Sequence, residues 1–187
     1  MIRKTIKRIV CTFLAAIMAI SVTMPMSGNA AGGNRGTVYM SDNVMRLSDG
    51  HGLNFKTVYN KDLGIYETAY CIQHGTSLYS MTEVSSGSID THLGTGNIND
   101  QIRLALAYGF DSRDNISQTL TISSADGQKY AATQLIVWNI MSGGYDDSFA
   151  RTPGWFDYVD PSATYASQIN SYITDIENSV RGAISAR

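Results

Sequence analysis

The chain has 187 residues, of which 43% are hydrophobic, 16% charged and 10% aromatic, and its formal net charge is −2. This composition is typical of one globular domain and excludes collagen-like repeats, coiled coils and intrinsic disorder. Its two cysteines, Cys11 and Cys71, are too few for a disulfide-rich scaffold or a cysteine-based zinc site.

The N-terminus has the three parts of a secretory signal peptide. Basic residues open the chain, an apolar run of 16 residues follows over Ile9–Met24, and small residues surround Ala30 and Ala31. The run is shorter than the roughly 20 residues that span a bilayer, which disfavours an uncleaved anchor. We therefore predict a signal peptide over residues 1–31 and one exported domain over residues 32–187, with no membrane span.

Cleavage changes both the charge and the cysteine count. The predicted signal peptide holds four basic residues and no acidic one, so 10 Lys and Arg remain against 16 Asp and Glu, a formal charge of −6. This negative charge argues against a nucleic-acid partner. Cys11 leaves with the signal peptide, so Cys71 is left without a second cysteine in a compartment where free thiols are oxidised.

The first half of the exported domain has the pattern of short strands. Alternation of apolar and polar residues predicts strands over residues 37–40, 53–59 and 65–72, with a turn over 60–64. A loop rich in Ser, Gly, Thr and Asn follows over residues 85–97. We predict a small antiparallel sheet or barrel in this half.

The second half changes to a helical period. Three helices are predicted, over residues 98–109, 128–142 and 161–183. Gly143 ends the second helix, and the third has Pro161 in its first turn with Asp160 or Ser162 as its cap. A short strand over residues 117–123 is predicted between the first two helices. Strands first and helices later indicate an α+β fold, with the helical half packed on the sheet.

Gln134 is an unusual residue for its position in the second helix. Its neighbours three, four and seven residues further on are Val137, Trp138 and Met141, so the amide lies on an apolar face. Burying an amide without hydrogen-bond partners costs a few kcal/mol. Two explanations are open at this point: the amide is fully hydrogen-bonded, or it is used chemically.

Cys71 raises a similar question at the end of the third predicted strand. It lies in the segment Tyr70-Cys71-Ile72-Gln73. A single cysteine is often a small buried hydrophobic residue. In an exported protein, however, a lone thiol is expected to be oxidised or to pair between molecules unless another group protects it.

Together the two segments resemble the thioester domains of Gram-positive surface adhesins, in which a cysteine is bonded to the side chain of a later glutamine. Tyr70-Cys71-Ile72-Gln73 is similar to the family's cysteine motif, and Thr133-Gln134-Leu135-Ile136-Val137-Trp138 to its helix motif. Residues 102–110 look like the family's helix that ends in an aromatic-Gly pair. The resemblance covers about residues 40–180 and implies a thioester between Cys71 and Gln134.

The resemblance also implies a function. It indicates an adhesin module on the bacterial cell surface that captures a nucleophile, typically a lysine amine, on a host surface or matrix protein. The product is a covalent amide to Gln134 with release of the Cys71 thiol, so the module reacts once and is not a turnover enzyme. We expect a monomer that needs no cofactor.

Two features depart from the family pattern. Gln73 stands where the family often has an acidic residue, which leaves any role of a carboxylate there without a counterpart. The larger adhesins continue into stalk repeats and a wall-anchoring signal, which do not follow here. We expect either a fragment of a longer surface protein or a minimal secreted form.

Four further residues are candidates for supporting roles. Thr133 belongs to the helix motif, and Tyr70 and Trp138 can shield a thioester from water, although both also suit an ordinary core. His74 is a candidate proton acceptor. If the strand continues through His74, its side chain faces away from Cys71, unless Gly75 bends the chain first.

Two other functions remain as alternatives. One is a secreted cysteine hydrolase or acyltransferase with Cys71 as nucleophile and His92 or His51 as base; such nucleophiles usually lie at helix N-termini rather than at strand ends. The other is a non-covalent extracellular binding domain in which Cys71 is merely buried. His51 and His92 are expected to be solvated, and histidines without ligand spacing make a metal site improbable.

Overall fold

The computed structural model describes residues 35–61, 64–75, 83–85, 97–110 and 124–187. Within these ranges the chain forms one antiparallel sheet followed by three helices, which confirms the predicted α+β fold. The strands are β1 (Arg35–Arg46), β2 (Gly52–Asn60), β3 (Ile65–Ala69) and β4 (Glu83–Ser85). The helices are α1 (Asn97–Tyr108), α2 (Ser124–Met141) and α3 (Ala166–Ser185).

The sheet has the strand order β3-β2-β1-β4. β2 was predicted almost to its ends, whereas β1 is longer than predicted because it continues through an irregular register after Met40. β3 ends at Ala69, three residues before its predicted end, so Cys71 lies beyond the strand. The short edge strand β4 was missed, since three residues are too few to show an alternating pattern. The signal peptide and the strand predicted over residues 117–123 lie outside the described residues.

The core lies between the sheet and the helices, with α2 at its centre. Nearly every residue of α2 from Tyr130 to Ile140 is buried, so this helix is enclosed on all sides by α1, α3 and the first two strands. It begins at Ser124, four residues earlier than predicted. Its end agrees with the prediction, because Gly143 adopts a φ of 78° and its N–H donates to the Ile140 carbonyl.

The predicted start of the third helix was wrong. Residues 161–165 form turns, and α3 begins at Ala166 after Tyr165, which provides no side-chain cap. The Asp160 carboxylate accepts hydrogen bonds from the backbone N–H and the hydroxyl of Ser162, at 2.9 and 2.7 Å. These local bonds stabilise a turn at the point where the sequence predicted a helix cap.

α3 is anchored to the loop that follows α2 by a buried carboxylate. Glu177 is 4% exposed; it accepts a hydrogen bond from the Tyr145 hydroxyl at 2.8 Å and one from Arg151 Nε at 2.7 Å. Burial, together with the adjacent Glu177 carboxylate, holds the pKa of Tyr145 well above its ordinary value. The tyrosine therefore stays protonated and remains a donor to Glu177 throughout the physiological pH range.

We expect Glu177→Ala to lower the free energy of unfolding by about 2 kcal/mol, because the buried Tyr145 hydroxyl loses its acceptor. Arg187→Ala is the matched control. Arg187 pairs with Asp100 at the same distance, 2.7 Å, but both side chains are about half exposed, so its loss is expected to cost less than about 0.5 kcal/mol. Urea unfolding measures both values; equal losses would contradict the importance of burial.

In the part of the chain that the structure describes, no helix is long and apolar enough to cross a membrane.

Candidate functional site

Cys71 lies two residues beyond the end of β3, in a half-buried position. The carbonyl of Ala69, the last residue of the strand, accepts a hydrogen bond from the Tyr130 hydroxyl on α2 at 2.9 Å. Burial raises the pKa of the Cys71 thiol, and the positive charge of Lys56 opposes that rise. The thiol is therefore protonated to a higher pH than an ordinary cysteine.

Gln134 is fully buried on α2 and pairs with the backbone of Cys71. The Cys71 N–H donates to Gln134 Oε1 at 2.8 Å, and Gln134 Nε2 donates to the Cys71 carbonyl at 2.6 Å. The side-chain carbonyl carbon of Gln134 is covalently bonded to both Oε1 and Nε2. The side-chain carbonyl carbon of Gln134 is therefore fixed beside the residue that carries the thiol.

A second amide on α2 makes the same type of contact. Asn139 donates from Nδ2 to the Phe156 carbonyl at 3.0 Å and accepts from the Phe156 N–H at 2.8 Å. Buried amides on this helix thus serve as backbone partners for segments that cross it. The hydrogen bonds to the Cys71 backbone give the Gln134 amide its partners. Gln134 differs from Asn139 in that the residue it binds carries a thiol.

Tyr70 holds the chain in place immediately before Cys71. It is 3% exposed, stacks on Tyr130 with ring centroids 5.0 Å apart, and donates from its hydroxyl to the Phe110 carbonyl at 2.7 Å. Tyr130 in turn binds the Ala69 carbonyl. The tyrosine pair therefore fixes the segment from Ala69 to Cys71 against α2 and the end of α1.

Thr133 connects α1 to α2 rather than binding the Cys71 backbone. Its hydroxyl accepts the Phe110 N–H at 2.9 Å and donates to the Lys129 carbonyl at 3.0 Å. Gly109, directly after the end of α1, lies so close that a Cβ there would be 2.4 Å from the Thr133 methyl carbon. The aromatic-Gly pair of the sequence thus allows α1 to end directly against the residue before Gln134.

Trp138 and His74 cover the region next to the glutamine. Trp138 is one helical turn after Gln134 and 7% exposed, and the His74 ring packs against it with centroids 4.7 Å apart. The ring of Tyr158 contacts both, at 4.8 Å from His74 and 5.4 Å from Trp138. The indole Nε1 is buried and has no hydrogen-bond partner among the residues described.

His74 reaches this position because β3 ends early and the chain turns. Gly75 has a φ of 78°, a conformation that favours glycine, so the strand alternation that would have turned His74 away from Cys71 does not continue to it. His74 Nε2 lies 3.1 Å from Asp49 Oδ2, and His51 Nδ1 lies 3.2 Å from Asp49 Oδ1. The carboxylate therefore orients the ring that packs on Trp138.

His51, the second histidine that the structure describes, is a surface residue. The His51 side chain is 74% exposed, in agreement with its expected solvation, and His92 lies outside the described residues. Burial favours a higher pKa for Asp49, but hydrogen bonds from His51 and the charges of both histidines outweigh it and lower the pKa. Within the described ranges, no group of His, Cys, Asp and Glu side chains is arranged to hold a metal ion.

Lys56 is a residue of the site that the sequence analysis missed. It follows Phe55 in an alternating strand, a position where a lysine is ordinarily solvated, yet it is only 7% exposed. Its ammonium donates to the Asn54 carbonyl at 3.1 Å and is electrostatically coupled to Cys71. A pattern of alternation cannot show that both faces of a strand are covered, so the sequence contained no signal for this burial.

Comparison with known families identifies the region of the chain that contains Cys71 and Gln134. The family model described as Thioester domain matches residues 68–179, which is more than half of the chain and includes both Cys71 and Gln134. Comparisons with curated proteins and with solved structures found no match. On the strength of the family match, the chain belongs to the thioester domain family.

Proposed function

We propose that Cys71 and Gln134 form an intramolecular thioester and that the domain uses it to capture an amine on a partner protein covalently. The observation that carries this proposal is the pair of hydrogen bonds between the Gln134 amide and the Cys71 backbone, inside the region that matches the family. Family membership supports a covalent-binding module rather than a turnover enzyme.

Formation of the bond is a substitution at the glutamine amide. The Cys71 sulfur attacks the side-chain carbonyl carbon of Gln134, the thiol proton is passed to the amide nitrogen, and ammonia leaves. An amide is a poor electrophile, so the reaction depends on holding the two groups together. Negative charge develops on Oε1 during the attack, and the Cys71 N–H already donates to that atom at 2.8 Å, as an oxyanion hole would.

The thioester then has to persist in water until a partner arrives. Trp138, His74 and Tyr158 form a wall of rings on the side of α2 that follows Gln134. Such a wall excludes water more effectively than polar side chains do. The contact between His74 Nε2 and Asp49 Oδ2 at 3.1 Å holds one of these rings in place.

The proposed target is a lysine on a host surface or matrix protein. Its amine attacks Gln134, forms an amide and releases the Cys71 thiol. Because only about one lysine in a few thousand is neutral at pH 7, specific capture requires a docked partner that holds one amine at the site. The predicted signal peptide supports export to the cell surface, where such a partner is available.

Little favours the hydrolase alternative. A hydrolase needs its cysteine nucleophile at a lowered pKa in every catalytic cycle, whereas burial raises the pKa of Cys71; formation of a thioester uses the thiol only once. The residue also follows a strand and does not lie in the first turn of a helix. The His51 base of that alternative is bound to Asp49 on the protein surface.

The intact mass of the purified exported protein tests the proposal. We expect a mass lower by one ammonia than the sequence requires, and treatment with methylamine should add one methylamine and expose one thiol to alkylation. Cys71→Ala and Gln134→Ala should each abolish the mass loss while melting cooperatively. An unmodified wild-type mass, with Cys71 freely alkylated in the native protein, would favour the non-covalent binding domain.

A further inference from the structure

We propose that Lys56 carries the proton from the Cys71 thiol to the departing nitrogen of Gln134 when the thioester forms. The inference rests on the proposed function and adds to it a residue that the family resemblance did not indicate. Three properties of Lys56 support it: its place in the sheet, its lack of a carboxylate partner and its coupling to Cys71.

The register of the sheet brings Lys56 to the cysteine. Lys56 on β2 pairs with Ala69 on β3, and paired residues in an antiparallel sheet project their side chains from the same face. Cys71 follows Ala69 by two residues, and the Lys56 ammonium reaches back along β2 to the Asn54 carbonyl, which is the direction in which β3 leads to Cys71. The electrostatic coupling between Lys56 and Cys71 agrees with this placement.

The surroundings of Lys56 are unusual for a buried lysine. Lysine side chains are rarely buried unless they are paired with a carboxylate. Lys56 donates to the Asn54 carbonyl, a neutral acceptor, and forms no ion pair with any carboxylate of the described residues. The ammonium is therefore buried without a carboxylate of the described residues within ion-pair distance, and burial favours loss of its proton.

The pKa shifts of Lys56 and Cys71 favour exchange of a proton between the two side chains. Burial lowers the pKa of Lys56, and burial raises the pKa of Cys71. Because an ordinary lysine has the higher pKa of the two, these shifts bring the two values closer together. A proton then moves between the groups at a small cost in free energy, which is the condition for efficient general acid–base catalysis.

Each proton that moves in this reaction has a donor and an acceptor. Loss of one proton from the Lys56 ammonium to water leaves a neutral amine, which accepts the thiol proton. The Cys71 thiolate then attacks the carbonyl carbon of Gln134 to form a tetrahedral intermediate. The Lys56 ammonium then donates a proton to the amide nitrogen as the carbon–nitrogen bond breaks. Ammonia leaves, the carbonyl is restored as a thioester, and Lys56 returns to its neutral form.

The rate of thioester formation tests this role. The full chain is synthesised in a cell-free system, and intact mass is sampled over time for loss of ammonia. Lys56→Met and Lys56→Arg should both slow the loss by about 100-fold, the usual contribution of a positioned acid–base group, because arginine keeps the charge but does not release a proton. Lys129→Met, which changes an exposed lysine on α2, is the matched control and should leave the rate unchanged.

A second measurement separates this role from a structural one. In the Gln134→Ala background, alkylation of Cys71 by iodoacetamide reports its thiolate as pH rises. Adding Lys56→Met should move the midpoint to higher pH, because the positive charge that favours the thiolate is lost. If Lys56→Met destabilises the fold, Lys56→Arg provides the rate measurement alone. Formation at the wild-type rate in either folded variant, or an unchanged midpoint, would overturn the role of Lys56, whereas absence of ammonia loss from the wild type would overturn the thioester itself.

Discussion

Gly109→Ala is expected to lower the free energy of unfolding by about 3 kcal/mol and to reduce the fraction of molecules that lose ammonia. A Cβ at residue 109 would lie 2.4 Å from the methyl carbon of Thr133, 2.6 Å from its hydroxyl oxygen and 2.7 Å from the Ala105 carbonyl. All three distances are too short for real contacts, so α1 must move away from Thr133 on α2 and the end of α1 must also change its backbone conformation next to the Ala105 carbonyl. Overpacking of this kind typically costs a few kcal/mol.

The effect on the thioester follows from the position of Thr133 in the chain. It precedes Gln134, and its hydroxyl binds the Phe110 N–H. A shift that separates these groups removes that bond and displaces the Phe110 carbonyl, which accepts the Tyr70 hydrogen bond that holds the chain before Cys71. Urea unfolding measures the first effect, and intact mass measures the second.

Gly182→Ala is the matched control for this substitution. Nothing lies within 4 Å of a Cβ at residue 182 on α3, and alanine is favoured over glycine in a helix by up to about 1 kcal/mol. The two variants carry the same chemical change and are expected to shift stability in opposite directions. Equal stability for both variants would show that the contact between Gly109 and Thr133 is not rigid.

Trp138→Ala is expected to shorten the lifetime of the thioester in water and to destabilise the fold by about 3–5 kcal/mol. The indole is nearly fully buried and supports the rings of both His74 and Tyr158. Its removal opens the wall that follows Gln134 on α2, so water gains access to the acyl carbon. Hydrolysis converts Gln134 to a glutamate and frees the thiol, and both changes are visible by intact mass and alkylation.

Trp155→Ala controls for the loss of a tryptophan as such. Trp155 is half-buried and contacts the Arg151 guanidinium at 4.0 Å and the Tyr145 ring at 5.1 Å, in the loop that leads to Glu177. It should lower stability without changing the rate of hydrolysis. If both variants hydrolyse at the same rate, the general loosening of the fold, rather than the aromatic wall, controls access of water.

The fold was predictable where the pattern was long and strongly periodic. β2 and α1 were each predicted to within one residue of their ends, because their apolar residues repeat several times. The start of α3 was not predicted correctly, because Asp160 and Pro161 suit either a helix cap or a turn. The hydrogen bonds from Ser162 to Asp160 stabilise the turn. β4 is too short for any period to be read.

The candidate site was predictable where a residue contradicted its local environment or belonged to a motif of the family. Cys71 and Gln134 drew attention because a lone exported thiol and an amide on an apolar face both need an explanation. Lys56 conformed to its strand pattern, so nothing in the sequence indicated its burial. The contact of His74 with Trp138 depends on where β3 ends and on the φ of Gly75. The contact of His74 with Asp49 joins residues that are distant in the sequence, so residue spacing could not predict it.

The distance along the chain between the paired groups has a mechanical consequence. Gln134 meets Cys71 across 63 residues, so a covalent bond there closes a large ring. In the chain-entropy treatment of cross-links, a ring of this size restricts the unfolded chain enough to stabilise the fold by about 4 kcal/mol. In the proposed reaction, capture of an amine opens that ring while it attaches the partner. We therefore expect the domain to exchange an internal cross-link for an external one and to be easier to unfold after capture than before.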